Sequence, residues 1–230
     1  MEESLVDCGD LSCFECSGVY RITPVPGTSF DVYCDTETSG GPWTVIQRRF
    51  DGSVNFTRNW EDYKRGFGTP YGEYWLAFRK RNDLRSSVQL LIGLLLSFFI
   101  NTTLGLEYIH SLLTLDQRLN VKLEGWDGTV RTAAYRKFII ESESDLYQLT
   151  IDGFTGDVDD QLTQHNRQRF STYDRDNDLR TGGSCADSGR GGWWYKNCYT
   201  ANLNGVYAFD KGIDVSLDAG PKSVIFKERD

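Results

Sequence analysis

The sequence predicts an α+β fold that is built on an antiparallel sheet with long loops. Turn signals rich in Gly and Pro recur along the chain, as at residues 24–29 and 66–72. Between them lie short runs that alternate in polarity or are rich in β-branched and aromatic residues, which is typical of strands. From residue 153 onward such runs become rare, so we expect the C-terminal part to consist mainly of loops, where binding residues tend to lie.

The strand candidates share this mixture of alternation and β-formers. They are FDVYCD (30–35), WTVIQRRF (43–50), LNVKLEGW (119–126), RKFIIE (136–141) and LYQLTI (146–151). Two other runs favour helices. One begins at Asn59, which can cap it, with Glu61 and Asp62 suited to the first turn; the other covers residues 106–114.

The composition limits the class of protein. A chain of 230 residues forms one large or two small domains, and 39% hydrophobic with 13% aromatic residues is enough for a globular core. The net charge of -8 and pI near 4.9 argue against nucleic acid or an anionic membrane as partner, because both reward basic patches.

Residues 77–104 do not fit this pattern, because a basic stretch precedes the most apolar run of the chain. Val88 to Ile100 would span about 20 Å as a helix, against roughly 30 Å for a bilayer core. A transmembrane helix, a buried extra helix or docked loop, and an insert foreign to the fold are the alternatives. We favour the insert and expect no membrane span.

The six cysteines predict an oxidising compartment. Cys13 and Cys16 form a lone CxxC without a second metal hook, so disulfides are favoured over zinc. N-glycosylation sequons at Asn55 and Asn101 agree with secretion. The first ten residues show no signal peptide, so we expect a secreted chain whose leader is not in this sequence.

The run STYDRDNDLRTGGSC, residues 171–185, places Asp174, Asp176 and Asp178 at every second position. An EF-hand needs Gly at the sixth and Glu at the twelfth position, which here are Leu179 and Cys185. The oxygen-rich loop still favours a hard cation such as Ca²⁺; the alternative is a solvated acidic loop.

The next run, CADSGRGGWWYKNCY, places aromatic residues beside the acidic segment. If Cys185 and Cys198 pair, their loop holds Trp193, Trp194 and Tyr195 near it, as a small pocket or as core. The chain contains no motif for nucleophilic, metalloprotease or phosphate chemistry. Both histidines, His110 and His165, are interpreted as structural, and we expect no enzyme.

Several motifs occur in order between about Cys8 and Gly205: SGVY, FDVYCD, GGPWTVIQRRFDGSVNFTRNWEDYKRGFG, GEYWL, GLEYIHSLLT and FSTYDRDNDLRTGGSCA with GGWWYKNCYTANLNG. Together they resemble the fibrinogen C-terminal, or fibrinogen-related, domain, whose members include ficolins, tachylectins, angiopoietins and fibrinogen chains.

The resemblance implies a single domain over residues 1–230, with a twisted antiparallel sheet, short helices and a loop-rich calcium and ligand subdomain. Its parts are an N-terminal subdomain (about 7–40), a central sheet subdomain (41–152) and the ligand subdomain (153–230). Deleting 77–104 joins GEYWL to GLEYIHSLLT with no family residue missing, which favours the insert.

The resemblance also implies disulfides Cys8–Cys34 and Cys185–Cys198, and a calcium site. Its ligands would be the side chains of Asp176 and Asp178 and the carbonyls of Arg180 and Gly182, with Asp174 as a neighbour. This chain has one extra residue between Asp178 and Cys185.

In ficolin-like and tachylectin-like members an acetyl group docks beside this site. The resemblance implies a cis bond from Asn197 to Cys198, with the N–H groups of Cys198 and Tyr199 as donors. The rings of Trp193, Tyr195 and Tyr207, or of Phe209, would hold the methyl group. The departures from these members are Tyr199 for histidine, Gly189 for tyrosine, and a shortened loop after Gly205 with Val215 for tryptophan.

We therefore expect a secreted, calcium-dependent lectin of innate immunity that recognises acetylated glycans. The alternative is an interaction domain for a cell-surface or matrix protein, of angiopoietin or tenascin type, with calcium purely structural. Either would act as a homo-oligomer in the full-length protein, because single pockets bind weakly. The intact acidic and WWYKNC motifs favour the lectin, and the shortened loop favours the alternative.

Overall fold

The computed structural model describes residues 5–12, 15–76, 106, 109, 117–125, 128–207 and 222–229, the last segment by its backbone alone. In these segments the nine strands form one sheet of order β1-β2-β3-β9-β6-β7-β8, with β5 also pairing with β3 and β4 with β5. Every strand pair is antiparallel. The α+β prediction is confirmed.

The elements run in the following order. They are β1 (Gly18–Val25), β2 (Thr28–Asp35), β3 (Trp43–Arg48), α1 (Trp60–Arg65), β4 (Phe67–Gly68), β5 (Tyr74–Trp75), β6 (Gln117–Glu124), β7 (Val130–Ile140), β8 (Leu149–Gly156), α2 (Cys185–Gly189) and β9 (Lys222–Arg229), with 3-10 turns at Cys8–Asp10, Glu143–Asp145 and Thr163–His165.

All five strand candidates correspond to strands, β2, β3, β6, β7 and β8, with boundaries shifted by a few residues. Sequence reasoning missed β1, β4, β5 and β9, and the last of these pairs with β3 on one side and β6 on the other. Between Gly156 and Tyr207 the chain contains only short helical turns and bridges, as the scarcity of periodic runs predicts.

Helix α1 forms as its capping signals predict. The Asn59 side chain accepts a hydrogen bond from the N–H of Asp62 (2.7 Å), and Gly66 ends the helix with φ 76°. Trp60 and Tyr63 are buried. Of the second helix candidate, only Leu106 and Ile109 lie among the described residues, and both are buried.

An aromatic cluster joins α1 and the sheet to the C-terminal loops. The ring centroids of Phe170 lie 5.1 Å from those of both Tyr63 and Trp194, and Trp75 lies 6.4 Å from Trp194. These rings are all almost completely buried. The loop-rich C-terminal part is therefore held on the core by large side chains rather than by strand pairing.

The structure contains the disulfide Cys8–Cys34, and Cys16 is an exposed free cysteine. No helix in the described segments is both long and apolar enough to cross a membrane. Residues 77–104, with Asn101, lie outside the described residues, as do Cys13, His110, Phe209 and Val215. The subdomain boundaries and the insert therefore stay predictions.

Candidate functional site

The acidic segment lies beside the aromatic segment that follows it. Ser171 and Trp193 exchange two main-chain hydrogen bonds (2.9 and 3.1 Å), and the N–H of Leu179 donates to the carbonyl of Lys196 (2.8 Å). The structure also contains the disulfide Cys185–Cys198. Main-chain bonds and a cystine therefore fix the acidic loop against residues 193–198.

The Asp174 side chain binds the N-terminus of helix α1. Its Oδ1 accepts hydrogen bonds from the N–H of Trp60 (2.9 Å) and the hydroxyl of Thr172 (2.7 Å). A carboxylate at the first residue of a helix is favourable because the unpaired N–H groups there carry partial positive charge. Asp174 thus joins the loop to α1.

Asp176 and Asp178 face each other across a tight turn. The oxygens of Asp178 accept from the N–H groups of Arg180 (2.8 Å) and Cys185 (2.7 Å), and Asp176 accepts from the N–H of Asp178 (3.2 Å). Burial raises the pKa of Asp178 above its ordinary value, and the neighbouring Asp176 carboxylate raises it further. Both effects would be relieved by a cation.

The donor chemistry fits a hard cation in part. In the described segments, neither carboxylate forms an ion pair. The Arg180 guanidinium lies instead near the Ser188 hydroxyl (3.3 Å). The same segments contain no group of three or more acidic, His or Cys side chains arranged for a metal. An ion here would therefore need neutral oxygens besides the two carboxylates, which Ca²⁺ accepts readily.

A pocket of about 270 Å³ opens next to this loop. It is lined by Gln164, His165, Lys196, Asn197, Cys198, Tyr199 and Thr200. The peptide bond from Asn197 to Cys198 is cis, as the family resemblance implies. The structure thus brings the two expected main-chain donors, Cys198 and Tyr199, to the pocket.

His165 forms the buried side of the pocket. Its Nδ1 lies 2.8 Å from the carbonyl oxygen of Trp194, and its Nε2 accepts from the N–H groups of Ala201 (3.2 Å) and Thr200 (3.4 Å). These partners require the neutral ring with its proton on Nδ1. Burial lowers the pKa of His165, and the positive charge of Lys196 adds to that effect. The ring therefore has a structural role, as interpreted from the sequence.

Three aromatic residues predicted for the ligand site, Trp193, Tyr195 and Tyr207, do not line this pocket. Trp193 and Tyr195 are 1% and 0% exposed, and the Tyr195 hydroxyl donates to the carbonyl of Gly191 (2.8 Å). The Tyr207 hydroxyl donates to the carbonyl of Phe50 (2.6 Å). Large aromatic side chains complete the core here, because burial of their apolar area stabilises the loops more than exposure would.

Packing around position 189 favours glycine over any residue with a side chain. A Cβ at this position would lie 2.5 Å from the Tyr195 hydroxyl oxygen and 2.9 Å from Nδ2 of Asn202. A side chain at position 189, such as the tyrosine of some acetyl-binding members, would therefore require Tyr195 and Asn202 to shift.

Five residues that line the pocket were not predicted as ligand-binding residues: Gln164, His165, Lys196, Asn197 and Thr200. The last three are chain neighbours of Cys198, so adjacency to the expected cis bond was a usable signal. Gln164 carries no such signal, because only the fold brings it there.

The model of a protein family, described as fibrinogen beta and gamma chains, C-terminal globular domain, matches residues 6–103 and 97–226. Human angiopoietin-related protein 7 is 38% identical over 211 residues, which cover 89% of this chain and 53% of that protein. Bovine microfibril-associated glycoprotein 4 is 40% identical over 213 residues, covering 88% of this chain and 72% of that protein. The chain thus spans about half the length of the angiopoietin-related relative.

Solved structures agree with these relatives. The fibrinogen-like globe domain of human ANGPTL6 has a TM-score of 0.80 at 36% identity, covering 98% of this chain and 96% of that one. Lamprey fibrin D-dimer, in complex with the peptide Gly-His-Arg-Pro-amide, has a TM-score of 0.75 at 30% identity, covering 99% of this chain and 74% of that one.

These findings correct the expected function. The relatives and solved structures described above are angiopoietin-related proteins, a microfibril-associated glycoprotein and a fibrin, and none of these is a ficolin-like or tachylectin-like lectin. The prediction of an innate-immune lectin for acetylated glycans is therefore wrong, and the alternative, a domain that binds a protein partner, fits better.

Proposed function

Because this chain belongs to the family of fibrinogen C-terminal globular domains, we propose that it is an extracellular, non-enzymatic module that binds a cell-surface or matrix protein. The observation that carries the proposal is the pocket of about 270 Å³ that is lined in part by Lys196, Cys198 and Tyr199. The angiopoietin-related and microfibril-associated relatives support a protein partner. Two disulfides support an extracellular location.

The pocket offers groups suited to a peptide segment. Within the described part of the chain, the N–H groups of Cys198 and Tyr199 donate no hydrogen bond. Two free N–H groups suit a carbonyl or carboxylate oxygen of the partner, and the ammonium group of Lys196 favours a carboxylate. The lamprey fibrin structure supports a peptide ligand for the fold, and its peptide, Gly-His-Arg-Pro-amide, has no carboxylate.

We propose that calcium is purely structural here and is held by the carboxylates of Asp176 and Asp178 with the carbonyls of Arg180 and Gly182. A bound ion would neutralise the two carboxylates. The loop that contains these carboxylates is joined to the pocket by the disulfide Cys185–Cys198 and by the main-chain hydrogen bond from Leu179 to Lys196. The ion would thus order the pocket without touching the partner.

We also propose that the full-length protein is a homo-oligomer, because weak single pockets gain affinity through avidity.

Binding of the fluorescently labelled chain to cultured cells and to decellularised matrix tests the function. We expect the double variant Lys196→Ala/Tyr199→Ala to bind at least about tenfold more weakly, as for interface residues near a binding centre. Tyr71→Ala is the matched control, because Tyr71 is 76% exposed and lies outside the pocket.

Pretreating the cells and matrix with protease should abolish binding, and glycosidase pretreatment should not. Binding that survives protease treatment, or that glycosidase treatment alone abolishes, would contradict a protein partner. Equal binding by the pocket double variant and its parent would contradict the pocket.

A further inference from the structure

We propose that Asn55 carries an N-linked glycan. It begins the triplet Asn55-Phe56-Thr57, the acceptor sequence for this modification. Asn55 and Thr57 are exposed and lie in the loop between β3 and α1. The proposal rests on the extracellular location proposed above, because the modification takes place in the secretory pathway.

The middle residue of the triplet, Phe56, is buried in the core and so holds Asn55 and Thr57 at the surface. The Phe56 ring is 2% exposed, lies 3.9 Å under the Arg49 guanidinium and makes an edge contact with Phe67 at 4.9 Å. Its carbonyl accepts a hydrogen bond from the Tyr63 hydroxyl (2.7 Å). With Phe56 anchored inward, both neighbours in the triplet remain in solvent.

The hydrogen bonds of the loop leave the reactive atom of Asn55 free. Oδ1 accepts from the N–H of Thr57 (2.9 Å), and the Asn55 carbonyl accepts from Nε of Arg58 (2.9 Å). Nδ2 of Asn55 takes part in none of the hydrogen bonds of the described residues. A glycosylated amide keeps its oxygen, so a sugar on Nδ2 leaves every one of these bonds intact.

The hydroxyl of Thr57 donates to the carbonyl of Arg190 (2.7 Å), next to the end of α2. The transferase reads this hydroxyl in the unfolded chain, before that bond forms. In the folded protein the glycan would cover the surface beside Arg190, on the flank of the calcium and pocket segment. A partner would therefore have to approach that segment from another side.

In the transfer, a bond forms between Nδ2 of Asn55 and the anomeric carbon of an oligosaccharide. The bond from that carbon to a lipid diphosphate carrier breaks, and the carrier leaves with the bonding electron pair. One amide proton passes to a base of the transferase.

The test is peptide mapping of the full chain, secreted from a glycosylating host behind a cleavable leader. We expect most copies to carry a glycan on the peptide containing residue 55, and peptide-N-glycosidase to leave aspartate there. Asn55→Gln and Thr57→Val should abolish the modification, whereas Thr57→Ser, which keeps a hydroxyl, should retain it.

Asn101→Gln is the matched control for the second sequon and should leave the glycan at residue 55 unchanged. An unmodified residue 55 in the secreted parent chain would overturn the proposal, as would a glycan that disappears only with Asn101→Gln. Because the parent chain is mapped directly, the outcome does not depend on how the variants fold. It is also independent of the partner-binding assay, so either proposal can fail alone.

Discussion

The three aspartates of the acidic run differ in function because they differ in surroundings. Asp174 binds the start of α1, whereas Asp176 and Asp178 face each other within one turn. Similar spacing in the sequence therefore gives one structural carboxylate and one mutually repelling pair. A divalent cation would favour the pair over Asp174, because only the pair sets two carboxylates side by side.

Calcium should stabilise the parent chain at neutral pH and should not stabilise Asp176→Asn/Asp178→Asn. At a concentration about a hundredfold above Kd the parent should gain roughly 2.7 kcal/mol. Thermal melting with calcium and with chelator measures this. Asp187→Asn, a change of a nearby exposed carboxylate, should respond like the parent. A parent chain with the same Tm in both conditions would disprove the calcium proposal.

The buried pocket histidine predicts a loss of stability in mild acid. Protonation would place a second N–H of His165 against the N–H groups of Ala201 and Thr200. Because its folded-state pKa is lowered, the unfolded state binds the proton first. The contribution of neutral His165 to the free energy of unfolding should therefore be fully present above pH ~6.5 and should be lost as pH decreases below that value.

Urea unfolding at about pH 7.5 and about pH 5.5 measures the effect. His165→Asn should lose less stability between the two pH values than the parent. An identical pH dependence in His165→Asn and the parent would rule out this account.

Among the elements, the turn after β3 depends on one buried carboxylate that precedes β5. Oε1 of Glu73 accepts from the N–H groups of Phe50 (2.7 Å), Asp51 (3.2 Å) and Gly52 (3.0 Å), and Oε2 accepts from Val54 (3.0 Å). Glu73 also lies 3.7 Å from Nε of the buried Arg49.

Arg49 extends this connection to the segment that follows the pocket. Its Nη1 donates to the carbonyls of Gly205 (2.9 Å) and Leu203 (3.3 Å). The turn, β5 and the 203–205 segment are therefore held by one charged pair.

Glu73→Gln should destabilise the protein by roughly 3–5 kcal/mol, because it leaves the buried Arg49 uncompensated and sets an amide against N–H donors. Asp31→Asn is the control. It breaks the Arg21–Asp31 pair, whose side chains are about half exposed, and should cost under about 1 kcal/mol. Urea denaturation compares them, and equal losses would refute the argument from burial.

At the scale of the whole molecule, strand pairing and disulfides join segments that are distant in the sequence. Strand β9 completes the sheet between β3 and β6, and the two disulfides link residues 26 and 13 positions apart. A cross-link stabilises the fold by restricting the unfolded chain, and the effect grows slowly with loop length.

Replacing Cys8 and Cys34 by Ala should cost about 3.5 kcal/mol, and replacing Cys185 and Cys198 about 3 kcal/mol. Chemical denaturation measures both losses. Cys16→Ala, which removes an exposed free thiol, should leave stability unchanged. The second double variant should also lose pocket binding. A double variant as stable as the parent would show that its disulfide does not constrain the unfolded chain.

Much of the sheet was predictable because its strands carry local signals. The β-branched and aromatic residues in 43–50 and 146–151 indicate β3 and β8, and the capping pattern at Asn59 indicates α1. Strands β1, β4, β5 and β9 were not among the predicted strands, and the pairing of β9 with β3 and β6 joins segments that lie far apart in the sequence. The cis bond at Asn197 and the two disulfide pairs were implied by the family resemblance, not by local pattern.

The sequence by itself determined the family, the α+β class and the residues that form the acidic loop and its cystine, because these depend on residue type and order. Only the tertiary structure decided which of those residues face solvent. It buried Trp193 and Tyr195, closed the space at Gly189 and brought Gln164 to the pocket. The physical reason is that burial and packing depend on contacts between distant segments, and a linear pattern does not record which side chain fills a given space.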